Sequence, residues 1–178
     1  MNHVPNESIH YRPLIIDDLE NLEAYLKALS TESKNRFGPH GYDLNSLRHI
    51  HNPNGPFKGF IAENFARNFP IAYAIVKTGY LDHERDRLQG YGWELRDATD
   101  CTFAPSVSDI WQGKGIGRSL FEHVLTNLKK EGYERMVLWG GVQISNQRAL
   151  IFYKKLGFME LGTFEYAGTN IDMALTFK

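Results

Sequence analysis

The chain has 178 residues, 42% hydrophobic and 13% aromatic, which suits one globular domain over 1–178 with a substantial core. Its 20 basic and 21 acidic residues leave a formal net charge of -1, so nothing draws it generally to nucleic acid or an anionic membrane, and any basic site must be local. The single cysteine, Cys101, excludes an internal disulfide and a CxxC metal knuckle; no apolar run approaches the roughly 20 residues of a membrane span, and Met1 to Glu7 lack the apolar centre of a signal peptide, so a cytoplasmic protein is expected.

In chain order, Ile9 to Leu14 predicts a strand and Asp17 to Ser30 a helix with Leu19, Leu22, Leu26 and Leu29 on one face. Lys34 to Gly41 reads as a loop and Asp43 to His49 as a short helix. Phe57 to Asn64 and Ile71 to Lys77 form a hairpin turning around Asn68, Phe69 and Pro70. Asp82 to Gln89 is a charged helical excursion read as solvated surface, with no chemistry assigned. Cys101 to Val107 is a strand interrupted by Pro105, which removes a ladder donor.

The helix from Ile116 carries Leu120, Phe121, Val124, Leu125 and Leu128 at helical spacing and ends at Gly132. A strand over Glu134 to Trp139 completes a strand–helix–strand unit that predicts parallel pairing. A second helix follows Asn146 and stops at Gly157; Phe158 to Phe164 and the alternating Ile171 to Phe177 are strands, the last half-buried.

Between strand and helix, Gly113, Gly115 and Gly117 clear side chains from a turn where a helix presents unpaired N–H groups. Such an end attracts phosphate. A dinucleotide fingerprint needs its third glycine where Arg118 stands, and a phosphate-cradling ATPase loop lacks its first glycine here. The residues instead spell Gln-x-x-Gly-x-Gly (Gln112, Gly115, Gly117) after Trp111, and a second block, Asn146 to Phe158, spells Asn-x-x-Ala-x-x-Phe-Tyr-x-x-x-Gly-Phe.

Together, over Cys101 to Gly162, these blocks resemble the GNAT N-acetyltransferases, in that family's order. The resemblance implies an α/β fold with a mixed central sheet, splayed at the cofactor site and flanked by helices. It implies acetyl-CoA as co-substrate, with no metal, and direct attack by a primary amine of a small molecule or peptide. Val107 would pair with the pantetheine arm; Gln112, Gly113, Lys114, Gly115, Ile116, Gly117 and Arg118 would form the pyrophosphate loop; Asn146 and Tyr153 would complete the cofactor side, Tyr153 as the acid near the sulfur.

Each of these has a plainer competitor. Tyr153 also belongs to an apolar helical stripe with Ala149, Phe152 and Leu156, Asn146 suits an N-cap, and Lys114 and Arg118 suit plain surface. The strand glutamate that several family members use as base is missing; Cys101 stands near its place as a small hydrophobe, and Asp100 is the first choice for the base. His49 and His51 lack a third ligand for a metal. Acceptor choice is expected from Lys34 to His51 and near Gly140, Gly141 and Tyr166. A homodimer is left open, and a non-catalytic acyl-CoA sensor is the alternative.

Overall fold

A computed structural model describes residues 8–66 and 68–177. The chain divides into two compact units, Met1–Ile75 with Pro105–Leu125 and Val76–Ala104 with Thr126–Lys178.

In the first unit, β1 (Ile9–Pro13) pairs antiparallel with β2 (Phe57–Asn64), from Ile9 opposite Asn64 to Pro13 opposite Phe60. The strand order continues to β3 (Phe69–Thr78) and β4 (Asp100–Val107), each of which has residues in both units. Arg12 fastens the β1 edge, donating to Asp18 and Glu63 at 2.7 Å each. Helix α1 (Leu19–Ala28) buries Leu19, Leu22, Tyr25 and Leu26, the face its spacing predicts, and packs on α3 (Leu44–Ile50). Each fully buried leucine stabilises the fold by about 1.5 to 3 kcal/mol relative to exposure.

Two local details differ from the sequence reading. Lys34 to Arg36 is not loop but the end of a helix, α2 (Thr31–Arg36), because Ser30 caps it by accepting from the Ser33 N–H. The hairpin turn is also tighter than expected: Asn68, at φ +47°, takes the left-handed conformation its short amide tolerates, and β3 already begins at Phe69.

In the second unit the order is β3-β4-β5-β8-β6, with β5 (Arg135–Leu138), β6 (Val142–Gln143) and β8 (Thr169–Thr176), while β7 (Met159–Glu165) pairs with β8. β4 and β5 are parallel, as the strand–helix–strand order predicts, with α5 (Ile116–Lys130) linking them in sequence; β5, β6 and β7 meet β8 antiparallel. Alternation suggested a half-buried β8, yet Asn170 to Ala174 are all buried, so both faces of the strand are covered. The charged excursion forms a short 3-10 turn and α4 (Arg85–Gly90), and α6 (Gln147–Lys155) follows Asn146. Tyr80, Leu88, Val137 and Ala174 form a buried cluster flanked by Tyr91, Trp93, Leu95 and Leu161.

Candidate functional site

The glycine-rich loop lies wholly in the first unit, at the N-terminus of α5. Gly113 and Gly115 hold φ values of +76° and +85°, which L side chains rarely adopt. A Cβ placed on Gly115 would meet no atom within 4 Å, so the space above the turn is open. The first intrahelical bond here, Ser119 N–H to Gly115 O at 3.1 Å, leaves the first-turn N–H groups of Ile116, Gly117 and Arg118 without intrahelical acceptors. Lys114 places its ammonium over the Trp111 ring at 4.9 Å, and Arg118 pairs with Glu122 at 2.8 Å on the exposed helix face, a contact weak enough to exchange for a phosphate.

Side chains hold the loop in shape. Gln112 donates its amide to the Val107 carbonyl at 3.0 Å, tying the turn to the end of β4. Asp109 accepts from the Ser30 N–H at 2.9 Å and from the Ser30 and Ser33 hydroxyls at 2.7 Å each, tying the same turn to the start of α2. Gln112 therefore acts on the loop, while the loop's own donors are main-chain N–H groups.

At the end of β4 the Val107 carbonyl is taken by Gln112, while the Val107 N–H on the same edge faces away from β3. Ser108 N–H donates to Ile71 O at 2.9 Å, and in an antiparallel ladder alternate residues face alternate edges, so Val107 turns its N–H away from β3. On that edge the pairing with β5 runs from Asp100 opposite Arg135 only to Phe103 opposite Leu138, and Pro105 has no N–H. The strand thus outruns its partner.

In the second unit, Asn146 caps α6, accepting from the Ala149 N–H at 3.3 Å. Tyr153, on α6, is only 9% exposed, with its ring edge-on to Phe152 and Phe158 at 5.2 and 5.4 Å. Burial raises the phenol's pKa, so it keeps its proton. No hydrogen bond to its hydroxyl is seen among the described residues, whereas a tyrosine buried for packing normally finds its O–H a partner.

Asp100 does not suit the role of base. It is 1% exposed and accepts from the Arg135 Nε at 2.9 Å, from the second Arg135 nitrogen, from the Tyr80 hydroxyl and from the Arg96 N–H at 3.2 Å. Four donors saturate a carboxylate, and the ion pair is needed because an unpaired charge at that depth is costly. Asp100→Asn is therefore expected to lower the melting temperature by about 5 °C or more while turnover per folded molecule stays within about two-fold. Calorimetry beside a rate assay checks this.

The charged run also holds more than surface. Glu84 is 1% exposed and accepts from the Gly140 N–H at 2.7 Å, and Arg87 lies between Glu84 (3.3 Å) and Asp172 (2.7 Å) with its guanidinium 3.7 Å above the Phe164 ring. Burial pushes the Glu84 carboxyl up to about 7. A carboxyl raised in the folded state stabilises the protein at low pH, and that contribution is lost as pH rises from about 4.5 through 7, by roughly 3 kcal/mol in all. Glu84→Gln keeps an acceptor for Gly140 and cannot ionise. Its melting temperature is expected to gain on the wild type as pH rises from 5 to 8, read by parallel thermal melts.

Residues 87–158 match the model of the acetyltransferase (GNAT) family. The chain carries a GNAT domain. Its fold is the α/β GNAT fold, a mixed eight-stranded sheet flanked by helices. A GNAT domain of an S. lividans protein, PAT, superposes with a TM-score of 0.74 at 20% identity, over 95% of this chain and 90% of that one. An aminoglycoside acetyltransferase, AAC(6')-Ib, solved with coenzyme A, superposes at 0.67 and 21% identity, over 95% of each.

Over a shorter stretch the GNAT domain is 40% identical across 58 residues to the ribosomal protein bS18-alanine N-acetyltransferase of Escherichia coli, covering 33% of this chain and 38% of that protein. The match thus spans little more than a third of that relative's length. Among the described residues no group of three or more His, Cys, Asp or Glu could hold a metal ion, and no helix is long and apolar enough to cross a membrane.

Proposed function

We propose that this GNAT domain transfers an acetyl group from acetyl-CoA to a primary amine of a small molecule or peptide, by direct attack in a ternary complex in the cytoplasm. One observation carries the reading: an open glycine turn at a helix N-terminus, shortly after a strand end that turns a main-chain N–H, that of Val107, away from β3 on the edge beyond the β5 pairing. The N–H groups of Ile116, Gly117 and Arg118 hold the pyrophosphate, with charge from Lys114 and Arg118. Val107 pairs its N–H with the peptide-like pantetheine arm, as in strand addition. Asn146 serves the cofactor side while capping its helix, and Tyr153 gives its proton to the departing thiolate.

The relatives act on two kinds of amine, an alanine of ribosomal protein bS18 and an aminoglycoside, which supports an amine acceptor without choosing one. The test is release of free CoA from acetyl-CoA across a panel of alkylamines, aminoglycosides and peptides with free N-termini. Transfer to any of them is the expected result. Tight acetyl-CoA binding with no transfer across the panel would instead favour an acyl-CoA sensor.

A further inference from the structure

Three aromatic side chains of the first unit share one hydroxyl. Tyr73, fully buried on β3, lies with its phenol oxygen 2.9 Å from His40 Nε2 and 2.8 Å from His51 Nε2. The directions of these bonds follow from the proton count. His40 Nδ1 lies 2.8 Å from the Gly41 carbonyl, which can only accept, so the His40 proton is on Nδ1 and Nε2 is a lone pair. Tyr73 therefore donates to His40. With its only proton spent, Tyr73 must accept from His51, which puts the His51 proton on Nε2 and leaves Nδ1 as a bare acceptor.

No partner for His51 Nδ1 is seen among the described residues. The ring lies close over the sheet, where a Cβ on Gly59 would come within 2.9 Å of His51 Cε1. Burial pushes the His51 imidazole down to about 4, helped by His40, and lowers His40 too, while Tyr73 is raised and stays protonated. Tyr25, which also feels Asp109, and Tyr42 are further titratable groups near the row, both phenols raised by burial. The two imidazoles and three phenols are neutral at physiological pH.

The row also reaches β4: the Tyr73 carbonyl accepts from the Ser106 hydroxyl at 3.4 Å, and Ser106 precedes Val107. This places Tyr73 one strand from the end of β4 at which the transferase reading puts the pantetheine arm.

We infer that His51, Tyr73 and His40 form a proton relay that takes the proton released by the acceptor amine as its nitrogen bonds to the acetyl carbon. The inference rests on the transferase reading. The amine N–H breaks as His51 Nδ1–H forms, His51 Nε2–H passes to the Tyr73 oxygen, and the Tyr73 proton passes to His40 Nε2. His40 ends as imidazolium, its Nδ1–H still on the Gly41 carbonyl. The low basicity suits this step, because a nitrogen already bonding to an acyl carbon is far more acidic than a free ammonium. His51 is the group that meets the acceptor; Tyr73 and His40 act through it.

The test combines NMR with kinetics on the intact chain, using the best amine of the CoA-release panel. Nitrogen-15 shifts of the histidines should report an Nδ1–H tautomer for His40 and an Nε2–H tautomer for His51. Tyr73→Phe should lower kcat by about 10-fold or more with KM for acetyl-CoA nearly unchanged. His51→Ala should lose a similar factor and regain part of it with added imidazole, which a packing role would not allow. Normal kcat in both folded variants overturns the relay and leaves the transferase reading standing. Failure of the wild type to transfer to any amine overturns both.

Discussion

Tyr153→Phe is expected to lower turnover by about 10- to 1000-fold and to leave acetyl-CoA affinity within a few-fold. The substitution removes one hydroxyl and keeps the ring that packs against Phe152 and Phe158. Loss of a general acid raises the barrier only where a proton moves to the leaving sulfur. The loss should therefore shrink with an acyl donor whose thiol is more acidic, because a better leaving group needs less protonation. Stopped assays with two such donors make the comparison. Unchanged turnover in a folded variant would return Tyr153 to the apolar stripe of α6.

Gly115→Val is expected to reduce acetyl-CoA affinity by 100-fold or more, read by calorimetry on a folded variant. The position is open, so a Cβ there meets no atom within 4 Å, but valine at a φ of +85° is strained and its methyl groups extend into the space the proposed function gives to the pyrophosphate. Gly132, at φ +88° and equally open, provides a matched control. Valine there carries the same backbone strain at the end of α5, away from the loop, and should leave affinity unchanged. Equal affinity in both variants would put the phosphates elsewhere.

What could be read from the sequence was local. The turn at Gly113 to Gly117, the cap at Asn146 and the apolar faces of α1 and α5 are each set by residues within a few positions of one another, and the structure places them as read. What misled was partnership at a distance. Asp100 was the first choice for the base because Arg135, 35 residues on, gives no sign that it will lie opposite.

Glu84 was hidden in a run of charges typical of surface, and only the Gly140 N–H and Arg87 show it to be interior. His40 and His51 stand 11 positions apart in segments both read as loop, with Tyr73 on an apolar strand between neighbours that say nothing of a hydroxyl. A glycine near the start of β2, Gly59, was the one available sign that a ring lies close over the sheet. Ser30 could have announced α2, since a serine three residues before another polar N–H is the ordinary signature of a helix start.

The Asp100–Arg135 pair also decides which other residues of β4 meet β5. The two are register partners at the first rung of a ladder only four rungs long. A slip by one residue would put Arg135 opposite Cys101, strand both charges in the interior and turn every β5 side chain to the wrong face. Such a misalignment is too costly to be populated, so the charged rung acts as an index mark for the strands. Counting from it, the pairing must end at Phe103, and the main chain from Ala104 to Val107 is left over by arithmetic rather than by any signal of its own. The strand edge that the proposed function gives to the pantetheine arm is in this sense set by two residues at the far end of the ladder.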